Sequence, residues 1–220
     1  MVVLQRNRAG SLAPVVSINS RQALASPYDD DTRLVAGLHE SNPAAMDAFV
    51  ERYADYVERV LARILGIDAE LPDLVNDVFV NALGSLHTLR VANLLRPWLR
   101  SVTVFVARGC LRRRRRRRWL TFLRDEELPE VPSYDAPASA TTALKRLYSV
   151  LGTLPPDERI VFALRFIDEM ELGEIADACG VSRTTIKRRV RKAEDLFTRE
   201  ARKDPLLSEW MAKGDRWNES

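Results

Sequence analysis

The chain has 220 residues, enough for one large domain or two small ones, and its 46% hydrophobic content excludes wholesale disorder. No apolar run approaches the ~20 residues that a membrane-spanning helix needs, which argues against such a helix. The net charge is only +3, yet no acidic residue occurs between Asp77 and Asp125, an interval that holds seven consecutive arginines at residues 112–118. A block with basic but no acidic residues predicts a polyanionic partner, because a segment that folds on itself normally contains charges of both signs.

Residues 1–27 are interpreted as a disordered N-terminal tail rather than as a transit peptide, and their apolar pieces are too short for an export signal. Cys110 and Cys179 lie far apart in the sequence with no second ligand nearby. Reduced thiols are therefore favoured over a metal or redox role, because metal sites need clustered ligands. These features predict a cytoplasmic protein without a metal ion or cofactor.

Helical periodicity dominates residues 28–122, and strand signals are nearly absent. A short helix precedes a long one, which is predicted to begin after the cap residue Asn42 and to end at Gly66. A third helix is predicted over about residues 72–86, and a fourth continues into the arginine run. We expect these four helices to form a first domain.

Residues 123–140 change character, because three prolines occur there among serine, alanine and acidic residues. This composition is typical of an extended linker. Helical periodicity returns over residues 141–203, which we expect to form a second domain. Residues 204–220 are predicted to be a C-terminal tail.

A helix-turn-helix pattern covers residues 171–197. Gly180 supplies the positive φ of a tight turn, Val181 is an apolar plug, and Ser182 is a natural N-cap for the next helix. That helix would turn Ile186 toward the domain and a basic face toward a DNA major groove; the alternative is a hairpin with a solvated basic face. The predicted fold class is all-α, with two small helical domains joined by a flexible linker, the second a helix-turn-helix domain of a winged-helix-like kind. The predicted DNA-facing residues are Ser182, Arg183, Thr184, Lys187, Arg188 and Arg191.

The arginine run at residues 112–118 follows an apolar helix without a break. We interpret it as a phosphate-binding helix end, for which the alternative is a solubilising or localisation tail. Trp98 upstream and Trp119 downstream are suited to stacking an unpaired base, although a core position fits Trp98 equally well.

The third helix carries Asp73, Asn76 and Asp77 on its outer face. This face is opposite in sign to a DNA-binding surface. It is either a docking face for a basic protein partner or a solvated side of the helix, and the spacing alone does not decide between them.

These residues resemble the bacterial RNA polymerase sigma factors, specifically the two-domain extracytoplasmic-function group of the sigma-70 family. Residues 154–166 are similar to the opening of the family's fourth conserved region, and residues 174–187 continue it. Residues 73–79 are similar to the core-binding helix of the second region. The resemblance covers about residues 30–200, with only the linker unmatched.

The resemblance implies an alternative sigma factor, which is not an enzyme and which binds core RNA polymerase to direct promoter recognition. The first domain would dock on the β′ coiled coil through Asp73, Asn76 and Asp77, and would melt and hold the minus-ten element. The second would bind the β flap and read the minus-thirty-five element through its basic helix face. Members of the family are commonly restrained by an anti-sigma factor. The residues implied at the minus-ten element are Trp98, Arg100, Arg108, Arg112 and Arg113.

The chain departs from the family where Phe105, Gly109 and Cys110 stand. Family members usually carry an asparagine at the first place and an Asp-Arg pair at the other two. The departure leaves open how the minus-ten element is read and melted, and phosphate contacts by the arginine run would partly compensate.

Two other functions fit the same residues. One is a stand-alone helix-turn-helix regulator, which usually binds paired half-sites as a dimer. The other is a sigma-like adaptor that occupies the polymerase without opening promoters. An enzyme is the least favoured class, because the sequence holds no carboxylate pair, nucleophile constellation or phosphate-cradling glycine loop.

Overall fold

The computed structural model describes residues 27–66, 68–121 and 138–213. In this part the chain forms nine α-helices and no β-strand. The predicted N-terminal tail up to residue 26 and most of the predicted linker, residues 122–137, lie outside the described residues, as do the last seven residues. The helices are α1 Asp31–His39, α2 Pro43–Leu65, α3 Leu71–Ser85, α4 Leu95–Thr121, α5 Ala138–Thr153, α6 Pro156–Phe162, α7 Leu172–Cys179, α8 Arg183–Ala201 and α9 Pro205–Lys213.

Helix α2 begins and ends where its sequence signals predicted. The Asn42 side chain accepts a hydrogen bond from the Ala44 backbone N–H at 2.9 Å, and Pro43 occupies the first turn. Gly66 follows the last helical residue with a φ of 83°, a value that favours glycine. Both predicted boundaries of α2 are therefore confirmed.

Helices α1–α4, which we call the first domain, pack their apolar faces on one another. Phe49 of α2 meets Phe79 of α3 edge to face, with ring centroids 5.3 Å apart. Leu95 and Leu99 of α4 are fully buried in the same core. Two short 3-10 turns, Leu86–Thr88 and Ala92–Leu94, connect α3 to α4.

Helices α5–α9 form the second domain. A π-helical turn, Ala163–Ile167, continues α6 and contacts α7. Phe162 of α6 packs on Phe197 of α8 with ring centroids 4.4 Å apart. Helix α9 lies in the segment predicted to be a C-terminal tail, and its Leu207 is buried against this small core.

The two domains also pack against each other. The largest hydrophobic cluster runs without interruption from Leu34 in the first domain to Ile186 in the second. Helix α4 of the first domain contacts α6 and α7, and α2 contacts the π-helical turn. The sequence predicted two domains joined by a linker and gave no expectation that they share a core. Among the described helices, none is long and apolar enough to span a bilayer.

Candidate nucleic-acid interface

The turn between α7 and α8 has the geometry that its residues predicted. Gly180 lies in the left-handed region with a φ of 66° and ends α7. Ser182 caps α8, because its hydroxyl accepts a hydrogen bond from the Thr185 backbone N–H at 3.2 Å. At the start of α7, Glu171 and Glu174 form a capping box. Two capped helices and a glycine turn thus hold the helix-turn-helix rigidly.

Helix α8 separates an apolar face from a basic one. Ile186, Ala193 and Phe197 are buried on the inner face. Lys187, Arg188 and Arg191 line a shallow groove on the outer face together with Lys192 and Asp195. The outer face therefore presents cations and hydroxyls at the helix N-terminus, where the backbone dipole also favours an anion. All six residues predicted to face DNA are exposed: Ser182, Arg183, Thr184, Lys187, Arg188 and Arg191.

Two of the arginines expected at the minus-ten element are bound to other side chains. Arg100 donates from Nε to the Tyr56 hydroxyl at 2.8 Å and from Nη1 to Glu174 Oε1 at 3.4 Å. Arg108 donates from Nε to Asp157 Oδ1 at 2.9 Å. Glu174 and Asp157 both belong to the second domain, so that domain holds these two arginines of α4.

The arginine run continues α4 and is only partly free of partners. Arg114 forms ion pairs with Asp68 at 2.7 Å and with Glu70 at 2.9 Å. The hydrogen bond from Arg114 lowers the pKa of Glu70. Arg112 and Arg113, also expected at the minus-ten element, have exposed side chains. Only part of the run is thus held by acids of the first domain.

The aromatic and atypical positions on α4 differ in exposure. Trp98 is half-buried against the core, and its indole N–H donates to Thr88 Oγ1 at 2.9 Å. Phe105 stands 63% exposed, whereas Cys110 is 1% exposed and packs in the core. Of the positions where the chain departs from the family, Phe105 thus lies on the surface and Cys110 in the interior.

The outer face of α3 is exposed and acidic. Asp73, Asn76 and Asp77 all point away from the core. Val80, which follows on the same face at helical spacing, is 70% exposed. The exposed face thus combines two carboxylates, one amide and one apolar side chain. Val80 was not predicted, although its spacing from Asn76 and Asp77 would have indicated it.

The residues that join the two domains were not predicted from the sequence. Arg159 of α6 and Tyr148 of α5 reach the end of α2 in the first domain. The only sequence signal for Arg159 is its place directly before the apolar residues Ile160 and Val161. A buried arginine cannot be told from an exposed one on that basis alone.

Two segments of the chain match the same family of known proteins. Residues 49–120 match the family described as Sigma-70 region 2, and residues 144–195 match Sigma-70, region 4. Together these ranges cover more than half of the chain. The protein belongs to the sigma-70 family of RNA polymerase sigma factors.

The relatives agree with this assignment. RNA polymerase sigma factor CnrH of Cupriavidus metallidurans is 30% identical over 177 residues, which are 76% of this chain and 92% of the relative. ECF RNA polymerase sigma factor SigC of Mycobacterium tuberculosis is 25% identical over 185 residues, which are 84% of this chain and 98% of that protein. The chain is therefore an extracytoplasmic-function sigma factor, an alternative sigma factor that directs transcription initiation. Neither alternative function receives support from these relatives.

Solved structures show the same fold. The structure of CnrH in complex with the cytosolic domain of CnrY matches with a TM-score of 0.53 and 24% identity, over 79% of this chain and 98% of that one. The sigma factor RpoE in complex with the anti-sigma factor NepR from Bartonella quintana matches with a TM-score of 0.52 and 18% identity, over 72% of this chain and 97% of that one. These likenesses support the all-α, two-domain fold.

Proposed function

We propose that this sigma factor reads the minus-thirty-five element with the outer face of α8 and holds the minus-ten element with α4. The observation that carries the proposal is the capped, exposed N-terminal half of α8. A helix presented in this way enters a major groove with its first turns against the base edges. Its buried face, which includes Ile186 and Phe197, fixes the rotation of the helix toward DNA.

The chemistry of the α8 face suits a duplex. Arg183, Lys187 and Arg188 are placed to reach base edges, and arginine binds guanine O6 and N7 in a bidentate way. The hydroxyls of Ser182 and Thr184 lie at the helix N-terminus, where phosphate oxygens are bound most readily. The second half of the face would then position the protein on the backbone through Arg191.

On α4, the arginines would hold the separated strand through its phosphates. Such contacts are electrostatic and weaken steeply as salt rises. Arg112 and Arg113 are exposed and could contact phosphates directly. Arg100 and Arg108 could do so only after their hydrogen bonds to Glu174 and Asp157 are broken. Phe105 offers an exposed ring on the same helix.

The acidic face of α3 would dock on the β′ coiled coil of core polymerase, with Asp73, Asn76 and Asp77 as the contact residues and Val80 among them. The second domain would bind the β flap. An anti-sigma factor is a further expected partner, because two similar solved structures are complexes with CnrY and with the anti-sigma factor NepR. A protein with these partners acts in the cytoplasm, and it needs no catalytic residue or cofactor of its own.

Run-off transcription with purified core polymerase tests the proposal. Transcript starts mapped after overexpression supply the promoter, and the full chain with core should then produce a transcript from it. The Lys187→Ala chain should bind core normally and lose promoter preference. A Lys187→Ala chain that binds core and keeps the full promoter preference of the wild type would overturn the assignment of α8.

A further inference from the structure

An aromatic ring stands in solvent on the surface of α4. Phe105 is 63% exposed, whereas every other phenylalanine, tyrosine and tryptophan whose side chain the structure describes is buried or half-buried. Helical spacing places Phe105 on the same face as the half-buried Val102, one turn earlier. The core therefore does not use this ring, and its exposure calls for another explanation.

Gly109 lies one turn after Phe105 on the same face. A glycine inside a helix is less favourable than alanine, so its presence normally has a packing reason. Here packing supplies none: among the described residues, a Cβ atom at this position would meet Arg113 Nη1 at 3.6 Å, which is an ordinary contact. Crowding therefore does not explain Gly109, and a larger side chain would fit the fold.

The missing side chain leaves a space beside the ring. Side chains of a helix lean toward its N-terminus, so a side chain at position 109 would cover the near side of Phe105. Glycine leaves that side open, and the guanidinium of Arg113 reaches to its edge. We call this space, which has Phe105 on one side, Gly109 at its base and Arg113 on the other side, the α4 slot.

The chemistry of the α4 slot suits a nucleobase. Unpaired bases stack on aromatic rings and on arginine guanidinium planes, and the slot offers one of each. Arg112, which is exposed two turns after Phe105 on the same face, is placed to bind the phosphate of the same strand. Because α4 carries no carboxylate of its own, it would not repel that phosphate. This surplus of positive charge favours a nucleotide over an apolar peptide as the occupant.

We propose that the α4 slot holds one unpaired base of the minus-ten strand, stacked between Phe105 and Arg113. The proposal rests on the proposed function, in which α4 holds the separated strand. A base within a duplex is covered on both sides by its neighbours, so the slot accepts a base only after the strands open. Phe105 would thereby favour the opened strand.

Stacking also sets what this position can recognise. Every base has a flat π face, so a stacking site requires a base but discriminates little among the four. The slot lacks a polar group at Phe105 and Gly109 that would read a base edge by hydrogen bonds. One position of the minus-ten element should therefore need a base of any identity.

The test measures binding of the holoenzyme, the full chain with core polymerase, to promoter duplexes whose minus-ten element is opened by mismatches. Bases of the opened strand are removed one at a time to leave abasic sites. For the wild type, one abasic site should lower affinity about tenfold, whereas exchanging that base for any other should change affinity by less than about threefold.

Two variants remove the slot in different ways. Phe105→Ala deletes the ring, and Gly109→Leu fills the space with a side chain that favours helix. Each should bind the intact opened duplex about tenfold more weakly than the wild type and should no longer respond to the abasic site. Phe105→Tyr keeps a ring and should stay within about twofold of the wild type. The control Leu206→Ala, which removes a 38% exposed side chain from α9, should match the wild type.

Salt dependence separates stacking from charge. Stacking releases no counterions, so Phe105→Ala should leave the slope of log affinity against log salt unchanged. Arg112→Ala should reduce that slope by about 0.7, the value for one phosphate of a single strand. A reduced slope in Phe105→Ala would contradict the stacking role, because the ring would then be acting through the placement of arginines.

Wild-type affinity in Phe105→Ala, with the abasic response intact, would overturn the proposal, and this variant decides alone if circular dichroism shows that Gly109→Leu fails to fold. Weaker binding of Phe105→Ala to core polymerase without DNA would also overturn it, because the ring would then contact the polymerase. Both results leave the proposed function standing. A wild-type holoenzyme that does not prefer the opened duplex to the closed one would contradict the proposed function, and the slot with it.

Discussion

Helices α8 and α4 carry the two basic surfaces of this sigma factor, and the fold presents them differently. The basic face of α8 is exposed along its N-terminal half, while two arginines of α4 are bound by carboxylates of the second domain. Both surfaces have the same sign, so charge alone does not explain the difference. The difference follows from location, because α4 lies between the domains and the basic face of α8 lies on the outer side.

Acidic side chains of a neighbouring domain can therefore cover part of an arginine-rich surface, while a second basic surface of the same chain stays exposed. Asp157 and Glu174 belong to the elements that also build the helix-turn-helix domain, so that domain covers two arginines of α4. Two of the following variants remove contacts between the domains, and the other two change an exposed face.

The largest effect is expected from Arg159→Met, which removes the buried guanidinium at the end of α2. The variant leaves the carbonyls of Ile64 and Leu65 without their charged donor, so the free energy of unfolding should fall by about 2 kcal/mol. Urea unfolding followed by circular dichroism measures the loss. The control Arg146→Met removes an arginine that is 45% exposed and should change stability by ~0.5 kcal/mol or less. Equal midpoints for the two variants would contradict the capping role of Arg159.

Lys187→Ala tests the exposed side of the comparison. Loss of a base contact should reduce discrimination between the promoter and a scrambled duplex by ~1–3 kcal/mol, with little change in non-specific affinity. Fluorescence anisotropy with the holoenzyme measures both. Lys203→Ala, near the other end of α8 where Lys203 pairs with Glu200, serves as the control. An equal loss on all sequences would make Lys187 a phosphate contact instead.

Asp77→Arg tests the docking role proposed for the acidic face of α3. Charge reversal on a docking face should weaken core polymerase binding about tenfold, because the new cation would face a basic partner. Surface plasmon resonance with immobilised core polymerase gives the affinity. DNA binding through α8 should be unaffected, since α8 lies in the other domain. Unchanged core affinity would refute the docking assignment.

The smallest effect is expected from Glu174→Gln. The change removes the charge that faces Arg100 at 3.4 Å, yet glutamine can keep the capping box with Glu171. Since Glu174 is 54% exposed, stability should fall by ~0.5 kcal/mol or less. Glu174→Ala, which also loses the cap, should cost about 1 kcal/mol, and urea unfolding followed by circular dichroism measures both variants. A large loss in the glutamine variant would show that this exposed pair contributes as much as the cap on α2.

Local signals in the sequence predicted much of this structure. Asn42 and Gly66 fix the ends of α2, and Gly180 and Ser182 fix the turn of the helix-turn-helix, because each acts through its own backbone neighbours. The exposure of the α8 face followed from helical spacing in the same way. These features depend on residues within a few positions of one another.

Features that depend on distant residues were not predicted. Arg159 becomes a buried cap only because the fold brings α6 to the end of α2, more than ninety positions away. The covering of Arg100 and Arg108 has the same origin. Helix α9 was missed although Asp204 caps it through bonds from the Leu206 and Leu207 backbone N–H groups, since burial of Leu207 against the second domain is needed to make so short a helix stable.

The most direct test of the account is the distance between the two domains of the free chain in solution. Gly84 in the first domain and Gly173 in the second have open space where a Cβ would stand, so Gly84→Cys and Gly173→Cys accept spin labels without strain. Cys110→Ala and Cys179→Ala remove the native thiols. Double electron–electron resonance should give one narrow distance for the free chain, because the two domains share one core. A broad distribution of distances in the free chain would contradict the account.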